Sequence, residues 1–297
     1  MKIMVLDIGG TAIKAGICTA GQLEDIREFP TEASLGGEHV MKRAGEIIAD
    51  YREKYAFERI GVSTAGQVDP VKGSIIYANQ NIPGYTGMQV AGILRERFQV
   101  PVAVENDVNA AAVGEAVFGA GRGQQEFVCL TYGTGVGGAV FTGGHLYRGS
   151  SCSAGEFGAI IVHPEERNPR EDMFSGCYEK YASVTALVAR AKKVDGTLTD
   201  GRKIFACMDE PAVKAVIDAW ILEIVYGLTT IVHTLNPSCI ILGGGVMEQP
   251  CLTEQIKLKL NEHIMPSFAH VKLRKAELGN RAGMLGAAAA AAEKCVE

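Results

Sequence analysis

The sequence predicts a mixed α/β chain built from two related halves, and two observations carry that prediction. The segments "IMVLDIGGTAIKAGICTAGQL" from Ile3 and "FVCLTYGTGVGGAVFTGGHL" from Phe127, 124 positions apart, share one layout of apolar strand, glycine/threonine turn, apolar strand and second turn. Strand and helix patterns then alternate after each of them. Identical residues are few in this pairing (Leu6 with Leu130, Gly9 with Gly133, Ala15 with Ala139), so the pattern rather than the identities carries the inference.

In the first half a helix is predicted over Gly37 to Tyr55. "RIGVSTAGQVD" reads as a strand and turn, "GSIIYAN" as a strand, "TGMQVAGILRERF" as a helix and "VPVAVEN" as a strand. In the second half "SVTALVARAKK" and "DEPAVKAVIDAWILEIVYGLTTIVHTLN" read as helices, "CIILGGGV" as a buried strand ending in glycines, and "LTEQIKLKLNEHI" as a helix. A hinge around "FGAGRGQQ", near 115 to 125, divides an N-terminal lobe of residues 1–118 from a C-terminal lobe of residues 119–297.

With 297 residues, the chain can bury a sizeable core. A net charge of −5 argues against a nucleic-acid partner, since a phosphate-backbone binder is usually basic. The eight cysteines (18, 129, 152, 177, 207, 239, 251 and 295) are scattered, several inside apolar runs, which fits a reduced, cytoplasmic chain. "MKIMVLDIGG" holds too few apolar residues before Asp7 for a signal peptide. "AWILEIVYGLTTIVHTL" carries Glu223 and His233, and the terminal alanine run is too short to span a bilayer, so no transmembrane helix and no membrane partner are expected.

The first chemistry lies in the glycine turns. "DIGGT" (Asp7, Gly9, Gly10, Thr11) and "YGTGVGG" (Gly133, Thr134, Gly135) each end a strand with backbone N–H groups that can approach an anion closely, as phosphate nests do. Thr11 and Thr134 add hydroxyls, Lys14 adds charge, and Asp7 can orient a hydrated Mg²⁺. The same stretches also serve as plain hairpin turns, but two in matched halves favour phosphate. Neither fits a P-loop or a dinucleotide-binding fingerprint. Gly243, Gly244 and Gly245 after "IIL" can admit a nucleotide base or simply turn the chain.

The junction "VENDVNAAAVGEA" places Asn106 and Asp107 between a strand and an alanine-rich helix, where either can cap the helix. Taken in order, "DIGGTAIK", this junction, "LTYGTGVGGAV", "AGEFG" (154–158), "GCYEKYAS" (176–183), "LNPSCIILGGGV" and "GNRAGMLGAAAA" resemble the ROK family of bacterial sugar kinases and sugar-responsive repressors, over residue 3 to about 292.

The resemblance implies an actin-like, hexokinase-type pair of ribonuclease H-like lobes closing on sugar and ATP, with the C-terminal helix returning to the first lobe. It also implies a dimer. In it Asp107 matches the general base for the sugar hydroxyl, and Asn106 the residue that hydrogen-bonds the sugar. Glu156 and Glu179 match carboxylates that bind ring hydroxyls. Gly66, Gln67 and Asn81 lie in matching sugar loops. The chemistry agrees, because phosphoryl transfer needs alignment, charge neutralisation and one carboxylate to accept a proton. ATP and Mg²⁺ are the implied cofactors, and the acceptor is the 6-hydroxyl of a hexose or hexose derivative.

One segment departs from the family. Members usually continue the glutamate motif as E-x-G-H and follow it with C-x-C-G-x-x-G-C, a zinc motif; here Ala159 stands at the histidine, Arg170 and Asp172 at two cysteines, and only Cys177 remains. A lone His163 nearby does not restore the set, and no structural zinc is expected. The missing histidine also removes a family contact near the sugar C1 and C2 hydroxyls, leaving glucose, an N-acylated hexosamine such as N-acetylmannosamine, or a β-glucoside open as substrate. A ROK-type regulator lacking its DNA-binding domain and another actin-like ATPase are the alternatives. The turn beginning at Asp7 leaves no room for a helix-turn-helix, and an actin-like ATPase does not account for "VENDVN" and "GEFG".

Overall fold

Strands β1 (Lys2–Ile8) and β2 (Ala12–Thr19) form the first hairpin, and β3 (Gln22–Pro30) extends it as an edge strand. This is a computed structural model, and it describes residues 1–293. The residues of β3 alternate between exposed and half-buried, so its charged sequence "QLEDIREFP" carries no apolar run to announce a strand. Helix α1 (Gly37–Lys54) buries Val40, Met41, Ala44, Ile47, Ile48 and Tyr51, the three-and-four spacing of one helix face.

Strand β4 (Arg59–Thr64) joins β1 in parallel, and β5 (Gln67–Asp69) and β6 (Ser74–Tyr77) form a small hairpin. Helix α2 (Val90–Phe98) starts four residues later than its apolar pattern suggests. The backbone N–H groups of Gly87 and Met88 are spent on the carbonyls of Ile75 and Tyr85, and Gly87 sits at φ +86°, which holds this stretch in a turn. Strand β7 (Val102–Asn106) completes a sheet of order β3-β2-β1-β4-β7 and runs directly into α3 (Asp107–Phe118).

The second sheet repeats the order. Strands β8 (Phe127–Tyr132), β9 (Val136–Thr142) and β10 (His145–Tyr147) are antiparallel neighbours. Past α4 (Glu179–Ala182), α5 (Val184–Val194), α6 (Gly201–Ala206) and α7 (Pro211–Leu235), strand β11 (Cys239–Gly243) pairs in parallel with β8. After α8 (Leu252–His263), β12 (Lys272–Lys275) pairs in parallel with β11, giving β10-β9-β8-β11-β12. The duplication inferred from the two hairpins is thus present in the topology of both sheets.

Two units emerge. One contains Met1–Gly123, Arg148–Ala154 and the chain from Asn280, including helix α9 (Ala282–Glu293); the other contains Gln124–Tyr147 and Gly155–Gly279. Helix α7 is long and apolar enough to cross a membrane by length and composition alone. It is the core helix of the second unit: Val213, Ile217, Trp220, Ile224, Leu228 and Ile231 are buried, and the Trp220 indole donates to the carbonyls of Ala182 and Ser183. Of the cysteines, Cys295 lies outside the described residues, and the other seven carry free thiols.

In the first unit α9 lies against α3 and β4 at backbone contact distance. A Cβ on Gly286 would fall 1.7 Å from the Ala110 carbonyl oxygen, one on Gly114 2.5 Å from that of Ala282, and one on Gly61 2.3 Å from that of Ala287. The glycines and alanines of "NAAAVGEA" and "GMLGAAAA" therefore pack helix against helix without intervening side chains. Gly286→Ala is expected to destabilise the protein by about 3 kcal/mol, since neither backbone can yield. Urea unfolding measures it, and a loss below about 0.5 kcal/mol, the size of an ordinary surface change, contradicts the packing.

Candidate active site

Asp107 is the first residue of α3, at the carboxyl end of β7, and Asn106 is its N-cap in extended conformation. The Asn106 side-chain oxygen accepts from the backbone N–H of Val108 (3.0 Å) and Asn109 (3.1 Å), while its amide donates to the Gly66 carbonyl (2.9 Å) and to Asp107 Oδ1 (2.9 Å). An asparagine amide offers two donor hydrogens and two acceptor lone pairs, and all four are used inside the protein. In this arrangement Asn106 caps α3 and orients Asp107.

Asp107 Oδ1 also accepts from the Val108 N–H at 2.9 Å. Burial pushes the Asp107 carboxyl up to about 6 and the negative charge of Asp7 adds to the rise, against the lowering hydrogen bonds from Val108 and Asn106. Asp7 faces Lys14 across the hairpin and Ser63 across the parallel pair. The Ser63 hydroxyl donates to its Oδ1 at 2.7 Å. Burial raises the Asp7 carboxyl too, opposed by Ser63 and Lys14. Gly283 of α9 closes this corner, where a Cβ would stand 3.1 Å from Asp7 Oδ1.

The turn Gly9–Thr11 is tied by the Gly9 N–H to the Ala12 carbonyl (3.0 Å) and by the buried Thr31, whose hydroxyl donates to the Gly9 carbonyl at 2.7 Å and whose N–H donates to that of Thr11. Gly10 and Thr11 are exposed at its tip, with open space beside Gly10. Gly66, at φ +96°, reaches Asn106 through its carbonyl. Gln67 begins β5, and Asn81 is exposed on the neighbouring loop, its N–H donating to Asn79.

In the second unit Gly133 and Thr134 are exposed at the tip of the β8–β9 turn. Glu179 is seated against this turn: a Cβ on Gly135 or Gly158 would come within 2.7 or 2.9 Å of its Oε2, and at Gly158 the Val136 carbonyl oxygen, 2.5 Å away, leaves room only for glycine. Burial raises the Glu179 carboxyl, as does the charge of Glu156, against a hydrogen bond from the Val136 N–H. Glu156 itself is exposed. Gly244 needs its glycine, since at φ +100° a Cβ would meet the Tyr132 carbonyl oxygen at 2.1 Å, while Gly243 closes β11 and Gly245 opens into free space.

A family model described as "ROK family" matches residues 3–294. The chain belongs to the ROK family. It is 31% identical over 306 residues to a glucokinase of Halalkalibacterium halodurans, covering 95% of this chain and 92% of that one. It is 31% identical over 309 residues to a beta-glucoside kinase of Listeria innocua, covering 97% and 96%. The crystal structure of a ROK family glucokinase from Streptomyces griseus in complex with glucose and AMPPNP superposes with a TM-score of 0.84 at 29% identity, covering 99% of this chain and all of that one. The fold is the actin-like, hexokinase-type fold of the ROK enzymes.

The residues at the ROK zinc positions do not fit that metal. Ala159 has no ligand atom, Asp172 is paired with Lys180 at 2.7 Å, and Arg170 is a cation. The Arg167 guanidinium organises the loop, donating to the carbonyls of Met173 (2.7 Å) and Ser175 (2.9 Å). His163 spends its two ring nitrogens on Glu165 (3.0 Å) and Glu223 (2.9 Å); burial lowers its pKa, but those carboxylates outweigh it and hold the imidazole raised. Ser63, Thr31 and Arg148, which bonds Glu105, were not singled out from the sequence, because single polar residues in apolar or loop segments carry no pattern.

The raised Asp107 carboxyl is a stability cost. The folded state holds this proton more tightly than the unfolded chain, so the contribution is most favourable below the ordinary carboxylate pKa and is lost as pH rises through about 6. Asp107→Asn is therefore expected to stabilise the protein at pH 7.5 by on the order of 2 kcal/mol and to give no gain near pH 4. Thermal unfolding across that range reads it out; a pH-independent or negative effect contradicts the burial argument.

Proposed function

We propose that the chain is an ATP-dependent sugar kinase that transfers the γ-phosphoryl group to the 6-hydroxyl of a hexose or hexose derivative, with Asp107 as general base. The observation that carries this reading is Asp107 itself: a carboxyl pushed up to about 6, oriented by Asn106 and set beside a second acid, Asp7, at the carboxyl end of a parallel strand. A base of that pKa is ionised at neutral pH yet basic enough to take a hydroxyl proton as the oxygen attacks phosphorus. Its relatives point the same way: the curated kinases named above act on glucose or beta-glucosides, and the S. griseus structure holds glucose and AMPPNP.

In this proposal the exposed tips at Gly9–Thr11 and Gly133–Gly135 present backbone N–H groups to phosphate oxygens, and Lys14 supplies positive charge beside the first. Gly243–Gly245 receives the base of the nucleotide. Asp7, a hard oxygen donor, is the residue that would hold hydrated Mg²⁺, which when bound neutralises phosphate charge. Glu156 and Glu179 accept ring hydroxyls, with Gly66, Gln67 and Asn81 as further sugar contacts. Glucose, N-acetylmannosamine and β-glucosides are the candidate acceptors, since Ala159 offers no polar group to read the C1 and C2 side.

Asp107→Asn should reduce sugar-dependent ADP formation by at least about a thousandfold while sugar binding persists, because a general base and its alignment together are worth that much. Near-normal turnover would sink the assignment. For the wild type, kcat/KM should fall about tenfold per pH unit below about 6 as Asp107 takes up its proton; a profile flat down to pH 5 would exclude Asp107 as the titrating base. Metal analysis of the purified protein should return zinc far below one ion per chain, and a tightly held stoichiometric zinc would refute that part.

A further inference from the structure

Glu105 precedes the N-cap of α3, and its side chain is only 3% exposed. Its Oε1 accepts from the Asn106 backbone N–H at 3.0 Å and from the Asn109 side-chain amide at 3.2 Å. Its Oε2 takes the guanidinium of Arg148 at 2.6 Å. Arg148 opens the stretch Arg148–Ala154, which belongs to the first unit although the residues before and after it belong to the second. That stretch is closed on itself by the Ala154 N–H to the Arg148 carbonyl at 3.1 Å.

Burying a carboxylate is costly unless it is paired and hydrogen-bonded. Its two amide donors alone leave a full charge on the residue two before Asp107. Arg148 removes that excess from a position over forty residues away in sequence. Losing the guanidinium would leave Oε2 without that partner, and the side chain would turn toward water. Turning would release Asn106 and Asn109, and Asn106 is the residue that orients Asp107.

We propose that Arg148 is a positioning residue for the catalytic turn: its ion pair with Glu105 holds that carboxylate in place, and so fixes the Asn106–Asp107 geometry. This rests on the reading of Asp107 as the base. Arg148 touches no reacting atom in this scheme; it acts through Glu105 and Asn106. The mark of such a role is a loss in kcat that depends on the charge at residue 105.

The test uses the full chain and four variants, Arg148→Ala, Arg148→Lys, Glu105→Gln and the double variant R148A/E105Q, with steady-state kinetics and thermal unfolding. R148A should lower kcat by about tenfold or more with sugar KM changed by less than about threefold, and R148K should recover part of the loss. The double variant should regain kcat to within about threefold of E105Q alone, because a neutral amide in that seat needs no counter-charge. An R148A variant with kcat within about twofold of wild type overturns the proposal, as do additive losses in the double variant. If R148A does not fold, the double variant against E105Q decides: equal kcat supports the pairing role, and a further tenfold or so loss refutes it. A wild type without sugar-dependent ADP formation, or an active Asp107→Asn, takes down the kinase reading and this inference together. An active wild type and a dead Asp107→Asn with a silent R148A remove only the inference.

Discussion

The junction between β7 and α3 is the constraint on which the rest of the first unit depends. In a few residues the chain must end a buried strand, start a helix and place a carboxylate where charge is costly. Asn106 does the first two by filling every hydrogen-bonding position of its amide. Asp107 receives the favourable end of a helix and the Val108 N–H, both of which lower a carboxyl pKa. Burial and the neighbouring Asp7 outweigh them, and the group ends near 6. A cap optimised for stability would have left Asp107 in the ordinary carboxylate range.

The duplicated topology makes the divergence of the halves informative. Both sheets carry an antiparallel hairpin followed by parallel strands, and both hairpins end in exposed glycine turns. Asp7 lies on the first hairpin with Ser63 opposite, whereas Thr131 is the residue 124 positions later on the second. The second unit sets its acid differently: Glu179 arrives on α4, and Gly135 and Gly158 make way for its carboxylate. One scaffold thus serves as the seat of a proposed base in one half and of a proposed hydroxyl acceptor in the other.

The same junction is braced from behind. Helix α9 approaches α3 and β4 closely enough that a methyl group at Gly286, Gly114 or Gly61 would strike a carbonyl. Such a contact transmits little slack, so the first turn of α3 is held by packing at its back and by Asn106 at its front. Gly283, on the same helix, stands against Asp7. The alanine-rich composition of both helices is the price of this proximity.

Periodicity and motif order by themselves determined a good deal: two related α/β halves, most of the helices, both glycine turns, the ROK family and the segment holding Asp107. The elements and turns are legible because they are local, arising from a repeat of two or 3.6 residues or from a short fixed spacing, while the halves and the family rest on the order in which such segments recur along the chain. The edge strand β3, whose charged residues hide its alternation, and the late start of α2, whose first N–H groups are drawn into a turn, were not legible. Nor was the bond from the Asn106 amide to Asp107, although its capping role was, since an amide's partners are set by what surrounds it. Only the tertiary structure brought Arg148 to Glu105, Ser63 to Asp7 and Thr31 to the first glycine turn. The physical reason is the same in each case: the cost of a buried charge or an unpaired carbonyl is met by whichever residue the fold brings near, at a sequence distance no local pattern records.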